Sequence, residues 1–244
     1  MKKPRLDVLL VERGLCASRT LAQALVMEGK VRVDGRTETK PSRQVEPDAA
    51  LEVAEKPRFV SRGGEKLEGA FAIFPGLDAT GKTCLDVGSS TGGFTDCLLQ
   101  HGARRVMAVD VGTNQLAYSL RVDPRVWVRE NFNARNMTAA DLPETPSLAV
   151  TDVSFISLKL ILPPIRDVLA PGGEIVALIK PQFEVGRGNA PGGLVRDERL
   201  RLEARDGIVA FARDALGLEL LGLAESPIRG REMGNIEYLS YWRK

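Results

Sequence analysis

From residue 82 onward, short apolar runs alternate with stretches of helical periodicity, and no other feature constrains the fold of this chain as much. The strand-like runs are 83–87, 105–110, 126–129, 147–151 and 174–180, followed by 218–225 and 236–242. Helical patterns lie near 93–101, 114–120, 156–169 and 197–215. Strands separated by crossover helices pair in parallel, so the pattern predicts an α/β architecture with a doubly wound, mostly parallel sheet. The last two runs are joined by a short connection, Ser226 to Asn235, with no helical pattern between them. An antiparallel pair at the sheet edge is expected there, which completes seven strands. A helix over Ser61 to Phe74 leads into this sheet.

The residues before it read as a separate, smaller α+β unit. Leu6, Leu9 and Leu10 share a helical face that stops at Gly14, and Ser18 is a suitable N-cap for a second helix ending at Gly29. Val31 to Val33 alternates as a strand, Asp34-Gly35 is a hairpin turn, Thr37 to Thr39 returns, and Leu51 to Val53 closes the unit. The expected organisation is a first domain over 1–53, a linker over 54–60 and a second domain over 61–244. Charge supports the division. Residues 1–45 hold ten Lys/Arg against five Asp/Glu, a surplus of five positive charges in a chain whose net charge is +2. A basic module beside a near-neutral one points to a polyanionic partner for the first.

The most specific segment is Leu85-Asp86-Val87-Gly88-Ser89-Ser90-Thr91-Gly92-Gly93-Phe94-Thr95-Asp96. A strand runs into a Gly/Ser-rich turn and a helix begins near Gly93, so the turn bends sharply and the first helix amides face a ligand space. The glycines do not follow the dinucleotide spacing G-x-G-x-x-G. The variant suits S-adenosylmethionine, which has no pyrophosphate to cradle; an ordinary tight βα turn is the plainer explanation of the same residues.

In open α/β sheets, ligands bind outside the carboxyl ends of the strands. The second strand ends in Asp110, about 20 residues past the glycine turn, where a carboxylate accepts hydrogen bonds from ribose hydroxyls. The third leads into Glu130 to Arg135, in which Asn133 suits an adenine edge. The fourth ends in Asp152 and the fifth in Lys180-Pro181, an acid and an amine on adjacent strand ends. A surface ion pair is the plainer reading of these two. The loop Asp152-Val153-Ser154-Phe155 is not the Asp/Asn-Pro-Pro-Tyr of amino-directed methyltransferases, and no cysteine follows Cys97 to act as a nucleophile. Acid and amine groups without a thiol or histidine suit activation of a hydroxyl, since a lysine desolvated in a cleft can take or guide a proton.

At this point the chain resembles a known family. The glycine turn, Asp152, Ile179-Lys180-Pro181-Gln182-Phe183-Glu184 and Gly234-Asn235-Ile236-Glu237-Tyr238 look like the TlyA family of ribosomal RNA ribose methyltransferases, also labelled haemolysins, over almost the whole chain. The resemblance implies a Rossmann-like class I methyltransferase domain of the FtsJ/RrmJ type, with S-adenosylmethionine held by Gly88, Ser89, Ser90, Thr91, Gly92, Gly93, Phe94, Asp110, Asn133 and Asp152. It implies a catalytic set of Lys66, Asp152, Lys180 and Glu237, in which Lys180 activates a ribose 2′-hydroxyl and the other three tune and position it. The implied target is a cytidine of ribosomal RNA, in the large subunit and also in the small subunit. Taken singly, Lys66 on a helix and Glu237 on an edge strand read as surface residues; the four in order argue against coincidence.

The first domain in turn resembles the S4-like RNA-binding module, through Arg5-Leu6-Asp7, Ser18-Arg19, Gly29 to Gly35 and Lys40-Pro41-Ser42. Arg5, Arg19, Lys30, Arg32 and Lys40, with Arg62 at the domain junction, are the implied RNA contacts, reading shape and phosphates. The implied partners are ribosomal RNA or ribosomal subunits. Two other classes fit the sequence less well. A membrane-lytic protein is disfavoured by the lack of a signal segment and of an apolar run near the roughly 20 residues that cross a bilayer. A non-catalytic RNA-binding protein is disfavoured by the intact set of four. Three scattered cysteines, Cys16, Cys84 and Cys97, read as reduced packing residues of a cytoplasmic protein. The single histidine, His101, reads as a helix end, and no metal is expected.

Overall fold

The computed structural model describes residues 3–54, 58–186, 188–230 and 234–244. The chain divides into two compact units, Met1–Pro57 and Arg58–Lys244.

The first unit holds α1 (Leu6–Glu12), α2 (Arg19–Met27), β1 (Val31–Val33), β2 (Arg36–Glu38) and β3 (Leu51–Val53). Ser18 caps α2 by accepting from the Leu21 amide at 3.2 Å. Asp34 and Gly35 both take positive φ, 50° and 74°, which pairs Val33 with Arg36 in an antiparallel hairpin. Strand order is β2-β1-β3. Leu6, Leu10, Ala22, Val26 and Val31 are fully buried beneath it.

The second unit holds α3 (Gly63–Ile73), β4 (Thr83–Val87), α4 (Gly93–Gln100), β5 (Arg105–Val109), α5 (Tyr118–Arg121), β6 (Val126–Arg129), β7 (Leu148–Thr151), α6 (Leu162–Val168), β8 (Glu174–Ile179), α7 (Pro181–Glu184), α8 (Glu198–Asp214), β9 (Glu219–Glu225) and β10 (Tyr238–Arg243). Its seven-stranded sheet has the order β6-β5-β4-β7-β8-β10-β9. All pairings are parallel except those of β10, which is antiparallel to both β8 and β9. Side chains alternate between two cores: Cys84, Leu148, Val150, Val176 and Leu178 enter one, while Leu85, Ala149, Ile175, Ala177 and Ile179 enter the other. With both faces covered, the central strands are buried along their whole length, which is why they read as continuous apolar runs.

Two departures from the sequence expectations have local causes. The helix expected over 114–120 is reduced to the single turn of α5. The amides of Asn114, Gln115 and Leu116 go to the Glu130 carboxylate instead, so a side chain replaces the helical ladder there. The helix expected over 156–169 starts only at Leu162, after a 3-10 turn over Leu158–Leu160. Pro163 and Pro164 then occupy its first turn, where a missing N–H leaves no broken bond. The antiparallel pair expected at the sheet edge is β9 with β10, and β10 lies second from the edge, antiparallel to both of its neighbours.

His101 ends α4 as expected, stacks on Phe71 at 3.8 Å and contacts Glu68 at 2.7 Å. Cys97 joins these two so that one donor atom of each lies within 4.8 Å of the others, with Arg58 already paired to the Glu68 carboxylate. Cys16, Cys84 and Cys97 are buried free thiols. Among the described residues, no helix is long and apolar enough to cross a membrane.

Candidate active site

The turn after β4 is built by backbone conformation. Gly88, Ser90 and Gly92 take positive φ of 83°, 47° and 99°. A Cβ on Gly88 would lie 2.9 Å from Val153, and one on Gly92 would lie 2.3 Å from Leu120. Gly93 brings α4 flush against the start of α3, where a Cβ would meet Ser61 Oγ at 2.3 Å and the Gly64 amide at 2.7 Å. The turn therefore abuts the loop after β7 on one side and seats α3, with Lys66 one turn into it, on the other.

Asp110 closes the turn: its carboxylate accepts from the Ser90 amide at 2.8 Å and from the Gly112 amide at 2.7 Å. Ser89 is buried and Thr91 exposed, its carbonyl accepting from the Ala117 amide. Val111, next to Asp110 and 72 % exposed, offers apolar surface at the same rim; sequence reading passed over it. Two of the expected cofactor residues spend their side chains elsewhere. The Phe94 ring is buried in the core with Leu67 and Leu98. Asn133 is exposed, and its side-chain oxygen caps a short turn by accepting from the Arg135 amide.

Asp86 was also passed over. It is fully buried in β4; Oδ2 accepts from the Thr95 hydroxyl at 2.6 Å and, among the described residues, Oδ1 has no partner. Burial pushes its carboxyl up to about 7 against the Thr95 hydrogen bond, and the charges of Asp152 and Asp110 push the same way. Three carboxylates thus converge at the carboxyl ends of β4, β5 and β7. That field, beside a glycine turn with donor amides and an apolar rim at Val111, fits a cationic nucleoside such as S-adenosylmethionine.

The four expected catalytic residues come together although 171 positions separate the outermost two. Lys66 Nζ donates to Glu237 Oε2 at 2.6 Å and lies 3.7 Å from Asp152 Oδ2. Lys180 Nζ lies 2.6 Å from Asp152 Oδ1. Asp152 therefore bridges the two lysines. Lys66, Lys180 and Glu237 are buried and Asp152 is half-buried between the two lysines. Gly230 leaves room for the Glu237 carboxylate, since a Cβ there would stand 2.8 Å from Oε1.

The loop after Asp152 supplies two further groups. Ser154 Oγ accepts from Lys180 Nζ at 2.8 Å. Phe155 holds φ at 63°, a conformation disfavoured for a bulky side chain, and is 84 % exposed. Its ring lies 5.2 Å from that of Phe183, which itself lies 6.0 Å from Lys180 Nζ. Glu184 ties this loop to α7, accepting from Ser157 Oγ at 2.6 Å and from the Leu158 amide at 2.9 Å. The two rings are tilted 50° to each other beside the buried ammonium.

In the first unit, Arg5 and Arg19 both engage Asp7 at 2.9 Å, and Lys30 pairs with Glu28 at 2.6 Å. Arg32 is the exposed residue of β1, Lys40 is exposed with its amide on Glu38, and Arg62 is exposed at the start of α3.

Comparison with known proteins agrees with both units. The family model described as FtsJ-like methyltransferase matches residues 59–244, and that of the S4 domain matches residues 4–51. The chain is 45 % identical over 247 residues to the 16S/23S rRNA (cytidine-2′-O)-methyltransferase TlyA of Mycobacterium tuberculosis, covering 99 % of this chain and 90 % of that one. It is 44 % identical over 240 residues to Hemolysin A of Brachyspira hyodysenteriae, covering 98 % and 99 %. A solved structure from Streptococcus thermophilus, provisionally named a hemolysin, superposes with a TM-score of 0.76 at 45 % identity, covering 100 % of this chain and 89 % of that one.

Proposed function

This chain belongs to the FtsJ-like methyltransferase family, with S-adenosylmethionine as cofactor, and we propose that it methylates a ribose 2′-hydroxyl of a cytidine in ribosomal RNA. The observation that carries the proposal is the buried chain of ion pairs Glu237–Lys66–Asp152–Lys180 at the carboxyl end of the sheet.

On this reading the turn from Gly88 to Gly93, Asp110 and the Val111 rim hold the cofactor, which supplies an electrophilic methyl group when bound. An ammonium has three N–H donors. Lys180 pairs by charge with the Asp152 carboxylate, donates to the Asp152 backbone carbonyl and to Ser154 Oγ, and keeps its third N–H for the acceptor oxygen. Its charge stabilises the negative charge that builds on that oxygen while the hydroxyl proton passes to solvent water and the oxygen takes the methyl group. Lys66, neutralised by Glu237, holds Asp152 from the far side and so fixes where Nζ of Lys180 can sit. Phe155 and Phe183 offer their faces to the base of the acceptor nucleotide, which must leave its helix to reach the site. Arg5, Arg19, Lys30, Arg32, Lys40 and Arg62 contact RNA phosphates.

The test is to incubate the protein with 16S or 23S rRNA and S-adenosylmethionine, digest the RNA and identify nucleosides by mass spectrometry. The expected product is 2′-O-methylcytidine; a base-methylated nucleoside would overturn the assignment.

Asp86 adds a pH dependence with a definite sign. Its carboxyl is pushed up to about 7, so it is largely protonated in mildly acidic solution. A cationic ligand favours the ionised form, and cofactor affinity is expected to rise as pH increases through about 7. Calorimetry should show this rise for the native chain and a flat profile for Asp86→Asn.

A further inference from the structure

Among the buried charges that the methyl-transfer site does not use, Asp7 is the most heavily engaged. It is fully buried in the first turn of α1, yet two of its partners are arginines whose side chains remain about half exposed. Arg5 places Nε on Oδ1 at 2.9 Å and Nη2 on Oδ2 at 3.0 Å. Arg19, from α2, places Nε on Oδ2 at 2.9 Å, and Gln23 adds Nε2 on the same oxygen at 2.7 Å. The Arg5 guanidinium, with the other donors, holds the Asp7 carboxyl well below the usual carboxylate range, so it stays ionised across the working pH of the protein.

A guanidinium has five N–H donors. Arg5 spends two on Asp7 and Arg19 spends one. Among the described residues, neither side chain has another acceptor. Their remaining donors are held on the outer side of one carboxylate, on half-exposed groups that would otherwise be free to rotate. Two like charges placed this close repel each other unless an anion lies between them, and Asp7 is that anion on the inner side. The outer side is left open for a second one.

We propose that Asp7 is a positioning residue for RNA binding: it orients Arg5 and Arg19 as one preformed clamp for a backbone phosphate. This rests on the reading of the first unit as the RNA-contacting one. A bidentate guanidinium matches the geometry of a phosphodiester, and fixing the side chain beforehand removes the ordering cost from the binding step.

The experiment measures affinity of the full chain for in-vitro-transcribed 23S rRNA across a potassium chloride series. Asp7→Asn is expected to weaken binding about tenfold, as loss of preorganisation at two long side chains implies. The sign is diagnostic. The substitution removes a negative charge from an RNA-binding unit, so charge alone would tighten binding. Arg5→Lys, which keeps the charge and loses the fork, is expected to weaken binding as well. In a background where Arg5 and Arg19 are both glutamine, Asp7→Asn is expected to have no further effect. Equal or tighter binding by Asp7→Asn overturns the proposal, as does an undiminished loss in the double-glutamine background, which would mark a purely structural role. Arg32→Glu and Lys40→Glu separate the two layers of the argument. If these also leave affinity unchanged, the RNA-binding role of the unit falls and the clamp with it; if they weaken binding while Asp7→Asn does not, only the clamp is lost.

Discussion

Lys180→Ala is expected to lower the methyl-transfer rate by roughly three orders of magnitude or more while leaving S-adenosylmethionine affinity unchanged. The loss is large because no neighbouring group can take over. Lys66 is already committed to Glu237 at 2.6 Å and reaches Asp152 only at 3.7 Å, on the opposite carboxylate oxygen. Lys180→Arg is expected to fail too, since a planar guanidinium cannot satisfy Asp152, Ser154 and an acceptor oxygen from one point. Single-turnover rates with rRNA, set beside calorimetric cofactor binding, check both variants. Full activity in Lys180→Ala would sink the mechanism.

The second large effect falls on stability. Glu237 and Lys66 are buried together, and removing one partner strands a charge in the interior. Glu237→Leu is expected to cost about 3 kcal/mol, the lower end of the range for a broken buried pair, because Asp152 still faces Lys66. For a unit of this size that is a fall in Tm of roughly 6–12 °C. Adding Lys66→Met removes the stranded charge and is expected to restore most of the Tm without restoring activity. Differential scanning calorimetry and the methylation assay together separate the two roles; recovery of activity in the double variant would show that the pair serves the fold alone.

Much of the fold was legible because alternation is a local signal. The continuous apolar runs of the sheet strands, the hairpin at Asp34-Gly35 and the parallel pairing of strands separated by helices all follow from short windows of sequence. Local competition defeated the reading at 114–120, where Glu130 takes the amides that a helix would use. In the site, the glycine turn and the strand-end residues Asp110, Asp152 and Lys180 could be read because strand ends point to one place. Lys66 and Glu237 could not be placed by position, only by resemblance, since their meeting depends on contacts across 171 residues. Ser154 and Phe155 lay within a quoted loop but carried no signal: a positive φ at phenylalanine has no signature in sequence. Asp7 and Asp86 read as ordinary acids, because burial and hydrogen-bond partners are properties of the folded chain.

The placement of β10 has a consequence for how the molecule is made. β9 precedes it in sequence, yet among the described residues β9 pairs only with β10, and β10 pairs with β8. During synthesis β9 therefore emerges with no neighbour to join, and the flank of β8 stays unpaired until the later segment slides between them. An open strand flank on a partly folded chain is a site for mispairing with other chains. Because Glu237 directly precedes β10, closing that flank also delivers its carboxylate to Lys66, so the sheet edge and the ion-pair chain are completed by the same segment.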